Sequence, residues 1–261
     1  MIIALAIIGC LVGFLSGLLG IGGGIIIVPA LNIYFHNRIY FNFNHLMHIT
    51  VATSLTIIFF TAIITSFFYS KNEKINWSVF KTFCPGLVVG SVLGSYFSQW
   101  LHGEIYHQLF GGFLALIAIK VLFFSNSKSD TEQQIQLHPI FAVYAIFIGF
   151  ISSILGISGG IIMTPLFFHL RMQTLYAIGT ATVCTIPIVL SSSIVMMLLP
   201  SPEQVSGLIG YVYWPAVISI CIFSMLLSPI GGKLAKILPD NILKRLLGIL
   251  LIVSSIKMIS L

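Results

Sequence analysis

Charge is scarce in this sequence. Only 7% of its 261 residues are Asp, Glu, Lys or Arg, where a soluble domain carries about a quarter. That shortage excludes an ordinary water-soluble fold, and 58% hydrophobic content excludes a disordered chain. The six acids, Glu73, Glu104, Asp130, Glu132, Glu203 and Asp240, all fall in predicted loops or at helix ends. A carrier coupled to protons or sodium usually holds a carboxylate inside the membrane, and none is available there. The four cysteines, Cys10, Cys84, Cys184 and Cys221, form no CxxC pair and sit in apolar runs, so they read as small buried hydrophobes. No cofactor and no metal site is expected. His45 and His48 are spaced i, i+3, but no acid or cysteine lies nearby, and they read as interfacial residues. The N-terminal MIIALAIIGCLVGFLSGLLG lacks a basic leader region and an AxA-type cleavage site, so it is expected to remain as a membrane segment.

What is present is apolar surface, with a mean hydropathy of +1.09. Apolar runs fall at about 2–19, 25–35, 50–70, 80–100, 107–124, 137–155, 161–170, 175–199, 211–229 and 242–261. Crossing the hydrocarbon core takes about 20 helical residues. The runs at 50–70, 80–100, 107–124, 175–199, 211–229 and 242–261 are long enough alone. The other four form two pairs, each broken by a Gly-rich segment. The basic residues edge these runs, where orientation in a bilayer places them. The net charge of +6 therefore points to lipid and not to nucleic acid. An all-α polytopic membrane protein is expected, with 1–261 a single membrane domain.

The two halves repeat each other. Residues 13–31 read GFLSGLLGIGGGIIIVPAL and residues 149–167 read GFISSILGISGGIIMTPLF, with eleven of nineteen positions identical at an offset of 136. Trp77 pairs with Trp214, Gly94 with Gly232, Gly111 with Gly248 and Lys120 with Lys257 at offsets of 137–138. Repeats at 1–124 and 137–261 are thus expected on either side of a polar linker at 125–136. Loop charge gives their relative orientation. Lys71, Lys74 and Lys81 mark the 71–81 loop, whose partner at 200–210 has no basic residue. The 101–106 loop has none, whereas 230–245 carries Lys233, Lys236, Lys244 and Arg245. Since positive loops face the cytoplasm, the halves are expected to be inverted repeats, each a Gly-broken helical hairpin plus three transmembrane helices. Arg38 opposes this assignment, and eight single crossings are the alternative.

The glycine breaks carry the chemistry. Non-helical backbone at membrane depth is tolerated where it is buried in protein or lines a cavity. A Gly-rich turn opening a helix presents free N–H groups and the positive end of the dipole, which favour an anion. The substrate-binding candidates are Gly20, Gly22, Gly23 and Gly24 in the first turn, and Gly156, Ser158, Gly159 and Gly160 in the second. Ser16 and Ser152 lie one turn ahead of the breaks. Thr53, Ser54, Thr180 and Thr182 begin the helices that follow. Pro29 and Pro165 are structural members of the motif. Close packing is the competing reading of the glycines, and local backbone bonding that of the hydroxyls. Residues 156–160 formally match the GxSxG of a serine hydrolase. The histidine that follows Ser158, His169, is expected at a loop, out of reach as a base, so an enzyme is not expected.

The paired glycine motifs, each followed by a small-residue helix (HITVATSL and AIGTATVC), resemble the sulfite exporter TauE/SafE family over essentially the whole chain. The resemblance implies a bacterial inner-membrane transporter of sulfur oxyanions or organosulfonates, and the inverted halves are expected to work by alternating access. Ser158 stands where the family often has glycine, and Ser153 where the first copy has Gly17. A small anion in a lipid bilayer is the expected partner, and the oligomeric state is left open. The alternatives are a carrier of a carboxylate or metal ion, or a membrane assembly subunit without flux.

Overall fold

The computed structural model describes residues 2–19, 23–38, 41–71, 75–123, 140–170, 172–201, 203–235 and 240–259. The linker 125–136 and the first-turn residues Gly20 and Gly22 lie outside them. Ten helices form among the described residues: α1 (Ile2–Leu19), α2 (Gly24–Arg38), α3 (Phe43–Lys71), α4 (Trp77–Ser98), α5 (Gly103–Phe123), α6 (Ile140–Leu155), α7 (Gly160–His169), α8 (Thr174–Leu198), α9 (Trp214–Ala235) and α10 (Asp240–Ile259). Each expected apolar run holds one of these helices. Three of them, over Phe43–Phe67, Trp77–Ser98 and Tyr176–Leu198, are long and apolar enough among the described residues to cross a membrane alone. The architecture is that of an all-α membrane protein.

Helix ends follow local chemistry. At α3, the Asn42 side-chain oxygen accepts from Asn44 N–H (3.2 Å) and its carbonyl accepts from His45 and Leu46. This cap starts α3 seven residues ahead of the apolar run, so Thr53 and Ser54 sit in mid-helix and do not begin it. Asn76 caps α4 through Val79 N–H. At the end of α6, Gly156 adopts φ +64° and Ile157 N–H donates to the Ser152 carbonyl at 3.2 Å. That six-to-one bond around a left-handed glycine is a Schellman stop. Helix α7 has 10 residues and rises about 15 Å, half the roughly 30 Å hydrocarbon core, so it cannot cross alone.

Helices α3 and α8 pack together at the centre. In α3, 78% of the apolar stretch is buried, against 44% in α4, whose outer face carries Val89, Leu93 and Tyr96. Around them the halves exchange helices. Helix α1 lies on α9, with Gly13 against the Ser224 backbone, and α6 lies on α4, with Gly149 against the Leu87 backbone. Gly13 and Gly149 match at an offset of 136, and Leu87 and Ser224 at 137. Small residues let these backbones meet where no hydrophobic force separates lipid from leucine.

One element departs from the expected runs: residues 211–213 of the 211–229 run form a turn and a strand, and α9 starts only at Trp214. Leu208–Ile209 (β1) pairs antiparallel with Val212–Tyr213 (β2), with Leu208 opposite Tyr213, across a turn in which Gly210 takes φ +57°. Tyr211 N–H donates to the Met196 carbonyl (3.0 Å), which pins this hairpin to the end of α8. Tyr213 also packs edge-on against Phe35 and Phe41, with ring centroids at 5.6 and 5.9 Å.

Candidate functional site

The two glycine breaks meet inside the protein. A methyl group added at Gly24 would lie 2.8 Å from Ile157 Cα and 3.0 Å from the Gly156 carbonyl oxygen. A helix start from one half therefore abuts the turn of the other. Gly23 takes φ +75°, beside Ser16, and its carbonyl receives Ile26 and Ile27 N–H at 2.9 Å to begin α2. Gly159 does the same for α7, accepting from Ile162 (3.1 Å) and Met163 (2.9 Å). Five residues into each helix stands Pro29 or Pro165. Proline donates no N–H, so each short helix has a loosened first turn.

Hydroxyls surround this junction. Ser54 Oγ donates to the Gly156 carbonyl at 3.0 Å, tying α3 to the second turn. Gly160 N–H donates to Thr185 Oγ1 at 3.2 Å, and that hydroxyl donates in turn to the Ala181 carbonyl at 3.0 Å. Ser158 is buried, with its hydroxyl on the side of Gly160. Ser152 is fully buried too, and its hydroxyl faces Gly159, yet it has no hydrogen-bond partner among the described residues. Leaving a buried hydroxyl unpaired costs about 1–3 kcal/mol. The residues named here supply only backbone amides, hydroxyls and apolar groups, so the helix ends provide the electrostatics.

The expected hydroxyls do not all converge. Ser54, Ser152 and Ser158 join the junction, and Ser16 adjoins Gly23. Thr53 Oγ1 instead accepts from Tyr213 N–H (3.1 Å), and Thr180 Oγ1 accepts from Asn76 N–H (2.9 Å). Thr182 donates to the Ile178 carbonyl of its own helix at 2.7 Å. Two residues were not singled out from the sequence. Thr185 caps the start of α7, and Thr50, one helical turn before Ser54, buries a hydroxyl without a partner among the described residues. The i, i+4 spacing of Thr50 from Ser54 was an available signal, and Thr185 offered none. Among the described residues, no group of three or more His, Cys, Asp or Glu could hold a metal ion.

A sequence profile described as Sulfite exporter TauE/SafE matches residues 5–258. The chain belongs to the sulfite exporter TauE/SafE family. A probable membrane transporter protein of Haemophilus influenzae is 30% identical over 255 residues, covering 97% of this chain and 96% of its own. One from Methanocaldococcus jannaschii is 31% identical over 255 residues, covering 94% and 92%. The YunE protein of Bacillus subtilis, also named a probable membrane transporter, is 25% identical over 250 residues. No solved structure matches the chain significantly. Membership in TauE/SafE makes this a multi-pass membrane protein of the transporter class and not an enzyme.

Proposed function

We propose that this TauE/SafE protein carries a small oxyanion, sulfite or a related sulfur oxyanion or organosulfonate, across a bacterial cytoplasmic membrane. The observation that carries the reading is the junction of the glycine breaks. There Ser152 holds a hydroxyl with no partner among the described residues beside the start of α7, and Gly24 abuts Ile157. A buried hydroxyl facing a helix N-terminus is a donor waiting for an acceptor, and an oxyanion supplies several. Thr185 holds the Gly160 amide in the meantime.

Alternating access by inverted halves is the mechanism we infer. The reciprocal packing of α1 on α9 and α6 on α4 supports it, as does the opposite charge bias of matched loops. In this topology both termini are external, and 71–81, 125–136 and 230–245 are cytoplasmic. Export needs no coupling carboxylate. One negative charge leaving an inside-negative cell gains about 2.3 kcal/mol per 100 mV, equivalent to a gradient of roughly fifty-fold.

The test is radiolabelled sulfite flux in proteoliposomes, with thiosulfate, sulfate, taurine and acetate as competitors. Saturable flux competed by sulfur anions is expected. Folded protein that moves acetate or nothing would overturn the sulfur-anion assignment, and flux indifferent to membrane potential would overturn uniport.

A further inference from the structure

A second group of polar side chains lies away from the glycine junction. Where α3 begins, α4 ends and the β1–β2 hairpin lies, a cavity of about 200 Å³ is lined by Asn44, His45, His48, Gln99, Trp100, Leu101, His102 and Tyr211. It is smaller than the roughly 300–1,000 Å³ of drug-sized pockets, and a water occupies only about 30 Å³ of liquid, so it fits a small ion with some water. Three imidazoles line it, and no carboxylate does among the described residues.

The buried imidazole is fixed by its neighbours. His48 Nδ1 lies 3.0 Å from the Asn44 carbonyl oxygen, and Nε2 lies 2.9 Å from the Ser98 carbonyl oxygen. Both partners can only accept. Both ring nitrogens are therefore taken up by backbone carbonyls. The same geometry leaves His48 no lone pair for a metal. Its ring is held edge-on by Tyr106 at 5.1 Å and tilted against Tyr211 at 5.9 Å, with the His45 ring centroid at 6.5 Å. Tyr106 donates to the Ile154 carbonyl. Burial raises the Tyr211 phenol above its ordinary range, which keeps it a neutral donor. Of the acids at this end, Glu203 accepts from Asn42 N–H (2.7 Å), and Glu104 is exposed.

We propose that this cavity is a second binding site for a small oxyanion, at the outer mouth of the protein. His45, His102 and the side-chain amides of Asn44 and Gln99 supply the donors, around the fixed ring of His48. The site rests on the anion-carrier reading for the identity of its ligand, but not for its binding.

Trp100 lines the cavity, and the sequence holds only three tryptophans. Trp77→Phe with Trp214→Phe therefore leaves Trp100 as the sole reporter in the full chain. Sodium sulfite, added in nanodiscs against matched sodium chloride, should change its emission saturably. His45→Ala and His102→Ala should each weaken binding roughly tenfold or more, the loss of one charged hydrogen bond. His102→Arg should retain it, and Ser152→Ala should leave it intact. No saturable change, a change indifferent to both histidine variants, or a saturable response to Zn2+ in place of sulfite would overturn the proposal. Absence of sulfite flux in proteoliposomes alongside saturable Trp100 binding would reject the carrier reading and leave this site standing.

Discussion

Thr53 Oγ1 accepts the backbone N–H of Tyr213 at 3.1 Å, and the bond has a counterpart from Asn76 to Thr180 at 2.9 Å. Tyr213 and Asn76 each precede a matched tryptophan, Trp214 and Trp77, at an offset of 137. Each bond ties a central helix of one half to the start of the fourth helix of the other half. Replacing either threonine by valine strands an amide, and Thr53→Val strands one that is buried. A loss of about 1–3 kcal/mol is expected from each. Thermal unfolding in detergent checks this. Serine at either position should restore most of the loss, and equal stability of Thr53→Val and wild type would refute the account.

Ser152→Ala separates function from packing. Its hydroxyl has no partner among the described residues, so its removal should leave stability unchanged or improve it by about 1 kcal/mol. Sulfite flux should nonetheless fall roughly tenfold or more, if the hydroxyl donates to a bound anion. Wild-type flux with wild-type stability would assign Ser152 to packing alone.

Gly156 and Gly112 make a matched pair. Gly156 takes φ +64°, and a methyl group there would sit 3.0 Å from Val51 Cα, whereas one at Gly112 would meet nothing within 4 Å. Alanine at 156 should cost at least about 1–2 kcal/mol from the left-handed backbone alone. Alanine at 112, inside α5, should gain about 0.5–1 kcal/mol. Urea or thermal denaturation reads both, and a reversed order would contradict the Schellman stop.

Thr185→Val frees the Gly160 amide. The variant should lose about 1 kcal/mol without ligand, and saturating sulfite should recover that loss if an anion takes the vacated donor. A deficit unchanged by sulfite in a thermal-shift assay would place the anion elsewhere.

Much of the fold was legible because apolar length is a one-dimensional property. All six long runs hold a helix, and the two broken runs divide next to Gly23–Gly24 and Gly156–Gly160. The β1–β2 hairpin was not legible, since two-residue strands leave no periodicity and depend on Met196 and Thr53 to receive their N–H groups. The start of α3 was set by Asn42, a polar residue outside the apolar window. Hydroxyl roles were legible only in part. Thr53, Ser54 and Thr182 lie in similar apolar stretches, yet one binds the hairpin, one a turn and one its own helix. What separates them is the neighbouring chain, which periodicity does not encode.

The exchange of helices between the halves has a consequence for biosynthesis. Helix α1 is completed at Leu19, but its bed, α9, begins at Trp214. At about 5–20 residues per second, the ribosome needs roughly 10–40 s to make the intervening chain. Throughout that interval the glycine-bearing face of α1 has no native neighbour, while α4 and α6 meet much sooner. The second half's first helix thus finds its seat on a surface already made, and the first half's must wait. Stalling translation before Trp214 should leave an N-terminal helix open to protease or to a translocon-associated chaperone.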